Sequence, residues 1–449
     1  MVSILHRHWV FILLLCVISV FYLLGTPTVP FHPDESTFLF MSAEFERTTS
    51  NPLDLAWDPA DSLTPTMRYR MIDAPLTRYL IGAGRSLAGF PALEGDWDWS
   101  ASWGENQAAG AFPDAVLLDL GRLTIASLFP LSLILLYLIS LKLDGRLLGV
   151  VAVLIFSLNP LILLHTRRAM AEGALIFAVL LALYALLYAD KYPFLGGLAL
   201  GLAFNAKHSA GLLLPIGLIA VCWTSYTVPR KYTHIFSNFV RFLVGFGLLT
   251  LLLNPFLWRS PVPAAQTALS LRQDLIERQV ADYENTAPSQ VLGSNVQRSA
   301  VAIAQVFIAP PIFSEAGNYA EFTAAAEKLY LNSIGSQIGR QPLIAGILIG
   351  LSLLGLVVTM RTILGDDLAA RRNAAILLLA FIGFIIGIIL LIPLAWQRYY
   401  LPLIPFTAIF AGLGFVWGIK TSRGIFAHGR LSARLSQILT QFAPDSWMS

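Results

Sequence analysis

Charge is scarce in this 449-residue sequence: Asp, Glu, Lys and Arg together make up 13% of it, against roughly a quarter of an ordinary soluble domain. The apolar set takes 56% and the mean hydropathy is +0.68. Water is therefore excluded as the main solvent, and the expectation is an all-α polytopic membrane protein. Cysteine is nearly missing. The two present, Cys16 and Cys222, both lie in apolar runs, which excludes a disulfide framework and does not resemble metal-ligand spacing. A net charge of +3, with no dense Lys/Arg block in a polar stretch, lacks the electrostatic footprint that nucleic acid requires. Internal repeats and low-complexity tracts are lacking as well.

What is present is a series of apolar runs on the scale of a membrane span, about 17 to 25 residues. They cover Trp9 to Leu24, Leu123 to Leu141, Leu147 to Leu164, Gly173 to Ala189, Phe194 to Ala206, Ala210 to Trp223, Phe239 to Trp258, Leu343 to Met360, Ala374 to Ala395 and Tyr400 to Ile419. The first follows His6, Arg7 and His8 and no small-residue cleavage pattern follows Gly25, so it reads as an uncleaved anchor rather than a signal peptide. The runs on either side of Asn205 to Ser209 are short, and charge bias arbitrates between one span and two. With two, Lys142, Arg146, Lys191, Arg230, Lys231, Arg361, Arg371, Arg372, Lys420, Arg423, Arg430 and Arg434 all fall on the cytoplasmic side. About ten spans are thus expected in an inner (plasma) membrane, with both termini cytoplasmic. The organisation is a first anchor (1–25), an external loop (26–114), spans two to seven (115–258), a second external loop (259–340), spans eight to ten (341–419) and a basic cytoplasmic tail (420–449).

The first external loop holds thirteen Asp/Glu against five Lys/Arg and is too long for a mere connection. Apolar residues recur at helical spacing after Ser36 (Phe38, Leu39, Met41, Phe45) and from Pro75 to Leu87, which predicts two amphipathic helices lying at the interface. Ser36 suits an N-cap of the first and Pro75 the first turn of the second.

Ionisable groups near span ends are expensive and usually face a cavity or a partner. In this topology Asp34, Glu35, Arg122, Arg167, Arg168, Lys207, His208 and Arg398 all gather on the external side. Positive charge is disfavoured there, so an anionic ligand is the explanation they share. Each also has a plainer one. Asp34 and Glu35 suit a helix N-terminus, Arg167 and Arg168 suit interfacial anchoring or a pair with Glu172 one turn on, and Arg398 beside Tyr399 suits an aromatic belt. Lys207 resists the plain reading, because a preceding helix of about 13 residues covers only roughly 20 Å of a ~30 Å core. Trp57, Trp97, Trp99 and Trp103 suit loop packing better than sugar stacking.

In order along the chain, His32-Pro33-Asp34-Glu35, Asp73-Ala74-Pro75-Leu76-Thr77-Arg78-Tyr79-Leu80, Arg168-Ala169-Met170-Ala171-Glu172, Gly201 to Lys207 and Arg398-Tyr399-Tyr400-Leu401-Pro402 resemble segments of the type C glycosyltransferases. The resemblance is to the protein O-mannosyltransferase-like group, which includes the aminoarabinose transferases of lipid A. Asp73-Ala74 stands where that group has His-Pro, and the sequence shows no soluble C-terminal accessory domain.

That resemblance implies transfer of a sugar from a polyprenyl-phosphate donor to a hydroxyl of an acceptor protein, lipid or glycan, beside membrane lipid and without nucleic acid. The residue types suit the reaction. Lys207, Arg168 and Arg398 would neutralise the leaving phosphate, with Arg78 and Arg122 as further phosphate or bracing groups. Asp34 would act as general base and Glu35 would orient the acceptor or a metal, with His32, Glu172 and Tyr399 in support. One carboxylate base and direct displacement imply inversion. A divalent metal stays open, since ligand spacing does not indicate one. A transporter or flippase of an anionic lipid-linked substrate is the competing class, although the repeats and interrupted helices of such folds are not evident; a noncatalytic scaffold subunit is a third.

Overall fold

The computed structural model describes residues 2–226, 232–313, 315, 317–333, 336 and 338–428. Arg230, Lys231, Arg430 and Arg434, which entered the charge argument, lie outside the described residues. Among the described residues the chain is helical with no strand, and a single isolated bridge joins Val291 to Leu394.

After α1 (Val2–Leu24) come five shorter helices, α2 (Pro33–Met41), α3 (Glu44–Ser50), α4 (Pro65–Ile72), α5 (Leu76–Leu87) and α6 (Trp103–Ala108). The apolar body begins with α7 (Ala115–Ala126), α8 (Leu128–Asp144), α9 (Arg146–Ser157) and α10 (Pro160–His165). It continues through α11 (Ala171–Leu186), α12 (Pro193–Ala206), α13 (Leu214–Tyr226) and α14 (Tyr232–Leu253). A second polar stretch carries α15 (Pro261–Thr286), α16 (Asn295–Phe307) and α17 (Ala320–Leu331), before α18 (Pro342–Leu364), α19 (Leu368–Leu391) and α20 (Ile404–His428) close the chain.

Among the described residues six stretches are long and apolar enough to cross a membrane: His8–Thr28, Ala115–Asp144, Thr233–Leu253, Pro342–Leu364, Leu368–Leu391 and Gln397–Ser422. Four further apolar helices, Arg146–Ser157, Ala171–Leu186, Pro193–Ala206 and His208–Trp223, are shorter. The protein is a multi-span membrane protein. Its centre is the last long stretch, whose apolar window is 78% buried, against 17% for the first and for Thr233–Leu253. The latter two therefore present most of their apolar surface outward, as lipid-facing helices do. The main core joins α8, α9, α11, α12, α19 and α20 through residues such as Leu136, Phe156, Leu180, Leu200, Phe384 and Phe406. Small residues let some of these helices touch backbone to backbone. A Cβ on Gly355 of α18 would collide with the Phe410 carbonyl oxygen of α20.

Two local features position the site. Helix α2 starts earlier than Ser36 would have it. His32 is the N-cap, its ring nitrogen accepting from the Asp34 N–H at 3.1 Å, and Pro33 takes the first turn where its missing N–H costs nothing. Ser36 is instead buried inside the helix. Helix α5 follows Pro75 and packs against α2, α3 and α7. The second feature is the end of α12, a helix of 14 residues and thus about 21 Å long. The chain turns extended at Lys207 before the 3-10 turn His208–Leu213.

Candidate active site

The His32-Pro33-Asp34-Glu35 run sends its two carboxylates to opposite places. Glu35 points inward and is fully buried. It accepts from Arg122 Nε and Nη2 at 2.7 and 2.8 Å, from the Ala169 N–H at 2.9 Å and, closing a capping box, from the His32 N–H at 3.0 Å. Arg122 spends its remaining reach on the Val29 carbonyl at 2.8 Å. Asp34, one residue earlier, keeps 26% of its side chain exposed and forms an ion pair with Arg398.

Arg398 arrives from the far end of the chain because the segment before α20 is pinned to the second polar stretch. Leu292 N–H bonds to the Pro393 carbonyl at 2.7 Å and Ala395 N–H to that of Gln290 at 2.9 Å. Gln397 accepts from Ile312 N–H at 2.7 Å and donates to Gln305 Oε1 and the Pro310 carbonyl. The guanidinium of Arg398 lies 4.7 Å from the Trp396 ring and 6.0 Å from that of Tyr399. The other face of this cluster is Lys207, whose ammonium is 2.8 Å from Glu172 Oε1, in the first turn of α11, and 5.3 Å from the Tyr399 ring. Tyr399 is within cation–π reach of both cations. Asp34, Arg398, Tyr399, Lys207 and Glu172 thus form one chain of contacts drawn from α2, the 3-10 turn Gln397–Leu403, the end of α12 and the start of α11.

The other cations expected at the site are turned elsewhere. Arg168 is fully buried and donates to the Pro30 and Phe313 carbonyls at 3.2 and 3.1 Å. Arg167 donates to the Tyr22 carbonyl at 2.9 Å and stacks on that residue's ring. Arg78 shares Glu44 with Arg70, at 2.8 and 2.6 Å, a buried two-arginine brace between α3, α4 and α5 whose other members gave no signal in the sequence.

Burial, reinforced by Arg168 and Arg398, holds the His32 imidazole well below its ordinary pKa, which keeps the ring neutral and able to accept the Asp34 N–H. Burial raises the carboxyl of Asp73, with Arg272 and Arg78 opposing and Asp34 adding to the rise. It also raises that of Asp96, which accepts from Thr37 at 2.8 Å. Three carboxyls near Asp34, Asp73, Asp96 and Glu315, and Arg272, which acts on Asp73, were missed or left in reserve by the sequence. Only Asp73 had a signal, as the residue that departs from His-Pro. Of the tryptophans, Trp57, Trp97 and Trp103 pack into the loops, Trp103 stacking on Phe322. Trp99 stays 47% exposed, 6.3 Å from the His32 ring. Among the described residues no group of three or more His, Cys, Asp or Glu side chains is placed to hold a metal ion.

A partly exposed carboxylate at a helix N-terminus, next to two cations tied through one aromatic ring, can bind an anion and accept a proton beside it. Comparison with known proteins bears on that chemistry. The family model for dolichyl-phosphate-mannose-protein mannosyltransferase matches residues 67–258, a span that includes Arg78, Arg122, Arg168, Glu172 and Lys207 and leaves out Asp34 and Arg398. No curated protein matches the chain. Among solved structures, the oligosaccharyltransferase of Archaeoglobus fulgidus in complex with Zn and sulfate aligns with a TM-score of 0.50 at 13% identity, over 96% of this chain and 52% of that one. ArnT from Cupriavidus metallidurans bound to undecaprenyl phosphate aligns at 0.47 and 16% identity, over 92% and 62%. The S. cerevisiae protein O-mannosyltransferase Pmt1-Pmt2 complex bound to the sugar donor aligns at 0.39 and 19%, over 56% and 34%. The chain spans 34% to 62% of the length of these structures, and at such identities the likeness is one of fold. The mannosyltransferase family match and the fold together bear out the resemblance carried by the motifs, which is to the type C glycosyltransferases.

Proposed function

We propose that the chain is a membrane glycosyltransferase that moves a sugar from a polyprenyl-phosphate donor to an acceptor hydroxyl, with inversion, on the external face. The observation that carries this reading is the meeting of Asp34 with Arg398, and of Lys207 with Tyr399, in one site assembled from four separate elements. The cations alone would serve an anion-binding transporter equally well; the partly exposed carboxylate beside them is what proton transfer from an acceptor hydroxyl requires.

In the reaction the acceptor oxygen attacks the anomeric carbon as the bond from that carbon to the phosphate oxygen breaks. Asp34 takes the acceptor's proton. Arg398 and Lys207 neutralise the departing polyprenyl phosphate, an effect that strengthens where water is excluded. Tyr399 holds both cations over one ring. Glu35 and Arg122 fix the entry to α2 so that Asp34 faces outward, and Arg78 and Arg168 brace the loops. The external placement follows the positive-inside bias of the sequence, with residues 26–114 and 259–340 outside and both termini cytoplasmic.

The test is single-turnover cleavage of labelled polyprenyl-phosphate sugars with an acceptor panel, for wild type and Asp34→Asn. Asn keeps the shape and cannot take the proton, so cleavage should slow by about 10² to 10⁴ with donor affinity kept. Full activity in Asp34→Asn would move the base to Asp73. A wild type that binds the donors but cleaves none would favour transport.

A further inference from the structure

Two carboxylates meet the Arg398 guanidinium, and they are held differently from each other. Asp34 pairs at Nη1. Glu315 Oε2 lies 3.1 Å from Nε, yet this is contact without alignment: both Glu315 oxygens and Arg398 Nε are buried with no hydrogen-bond partner among the described residues. Glu35, equally buried, has four donors within 3.0 Å, and Glu172 has the aligned ammonium of Lys207. A buried carboxylate without donors is costly. Its backbone keeps it there. The Phe313 carbonyl accepts from Arg168, the Glu315 carbonyl from Gln290 at 3.1 Å, and Asn318 binds the Asp98 carbonyl at 3.1 Å. Two backbone carbonyls, at Phe313 and at Glu315 itself, and the Asn318 side-chain amide are thus fastened around a side chain that charge retains.

We propose that Glu315 is a positioning residue that keeps Arg398 neutralised while the donor is away, and that an arriving phosphodiester displaces it from Nε as Glu315 takes one proton from bulk water. The proposal rests on the reading of Arg398 as a donor-phosphate ligand. The charge count requires such a step. In contact with one another are two cations, Arg398 and Lys207, and three carboxylates, Asp34, Glu172 and Glu315, and the phosphodiester adds one more negative charge. Among the described residues Asp34 and Glu172 each have a hydrogen bond to lose and Glu315 has none. Burial already raises its carboxyl above the usual range; Arg398 and Arg168 oppose the rise, and Asp34 and Glu172 add to it. Burial raises the hydroxyls of Tyr283 and Tyr319, on the packed elements around it, so both stay protonated, and the Tyr399 ring lies against Arg398. An added anion pushes the carboxyl further up, so the bound state holds the proton and donor affinity falls as pH rises.

The probe is a prenyl methyl phosphodiester, which keeps one charge across the range from about pH 5 to about pH 8, titrated calorimetrically into the full chain in detergent, in buffers of different ionisation heat. The wild type should take up close to one proton and bind up to about tenfold more weakly per pH unit. Glu315→Gln should remove both the uptake and the pH dependence and bind at least as tightly as wild type at the alkaline end. Glu315→Asp should restore them. Wild-type binding without proton uptake overturns the proposal even if no variant folds, and so does Glu315→Gln binding more weakly with the pH slope unchanged. A wild type that binds no phosphodiester at any pH removes the donor-site reading itself, and with it this one.

Discussion

Removing Glu35 separates a residue that holds the fold from one that does the chemistry, because the two carboxylates of the His32-Pro33-Asp34-Glu35 run make opposite demands. In Glu35→Ala the Arg122 guanidinium, 2% exposed, keeps only the Val29 carbonyl. Breaking a buried pair from one side costs about 3 to 5 kcal/mol. The N–H groups of Ala169 and His32 also lose their acceptor, at about 1 to 3 kcal/mol each. The sum, about 5 to 11 kcal/mol, is on the scale of a whole domain's stability, so Glu35→Ala should not accumulate as folded protein. Arg122→Leu leaves Glu35 with both N–H donors and should cost about 3 to 5 kcal/mol. In the double variant Glu35→Ala/Arg122→Leu no charge is stranded and only the two N–H groups lose their acceptor, so the loss should be about 2 to 6 kcal/mol, well short of the sum of the single losses. The yield of folded protein by size-exclusion chromatography in detergent reads Glu35→Ala, and thermal unfolding reads the other two. Additive losses, or a Glu35→Ala protein that unfolds at the wild-type temperature while losing turnover, would refute the bracing role and return Glu35 to the reaction.

Three further outcomes are expected. Lys207→Met combined with Glu172→Gln should remain folded, since the buried pair is removed from both sides, yet weaken prenyl-phosphate binding by about 1.5 to 3 kcal/mol; unchanged affinity would make Lys207 a structural cation only. Gly355→Val should prevent the close approach of α18 and α20, because a Cβ there would meet the Phe410 carbonyl, and wild-type thermal stability in that variant would contradict the packing. Single cysteines at Ser62 and Ser289, both exposed, in a chain lacking Cys16 and Cys222, should react with an impermeant thiol reagent in intact cells, and labelling only after lysis would reverse the topology.

Much of the site was legible because membrane-depth charge is expensive and therefore conspicuous. Lys207 stood out from a helix too short for the core, and the structure ends α12 at that residue with the ammonium on Glu172. Arg398 stood out beside two tyrosines, and it reaches Asp34 across 364 positions of sequence. Local chemistry misled at one helix start, and it gave no sign of the backbone partners of Arg168. Ser36 is a good capping residue by type, but His32 followed by proline, with Glu35 three positions on, forms the complete capping box and starts the helix earlier. Arg168, which reads as a phosphate ligand, is covered by the Phe313 segment and satisfied by carbonyls.

Glu315 and Arg272 were invisible for the converse reason. Both lie in the long polar stretch between α14 and α18, where a charged side chain costs nothing until the chain folds back over the membrane body. Only then does the bridge between Val291 and Leu394, with the bonds of Gln397 to Ile312 and Pro310, carry that stretch onto the site. Periodicity has no term for such contacts, which are made by backbone in irregular segments. The same geometry explains why the stretch matters: it supplies Arg398 with its second carboxylate from outside the membrane body, so the charge balance of the site depends on a loop that the apolar helices alone would not specify.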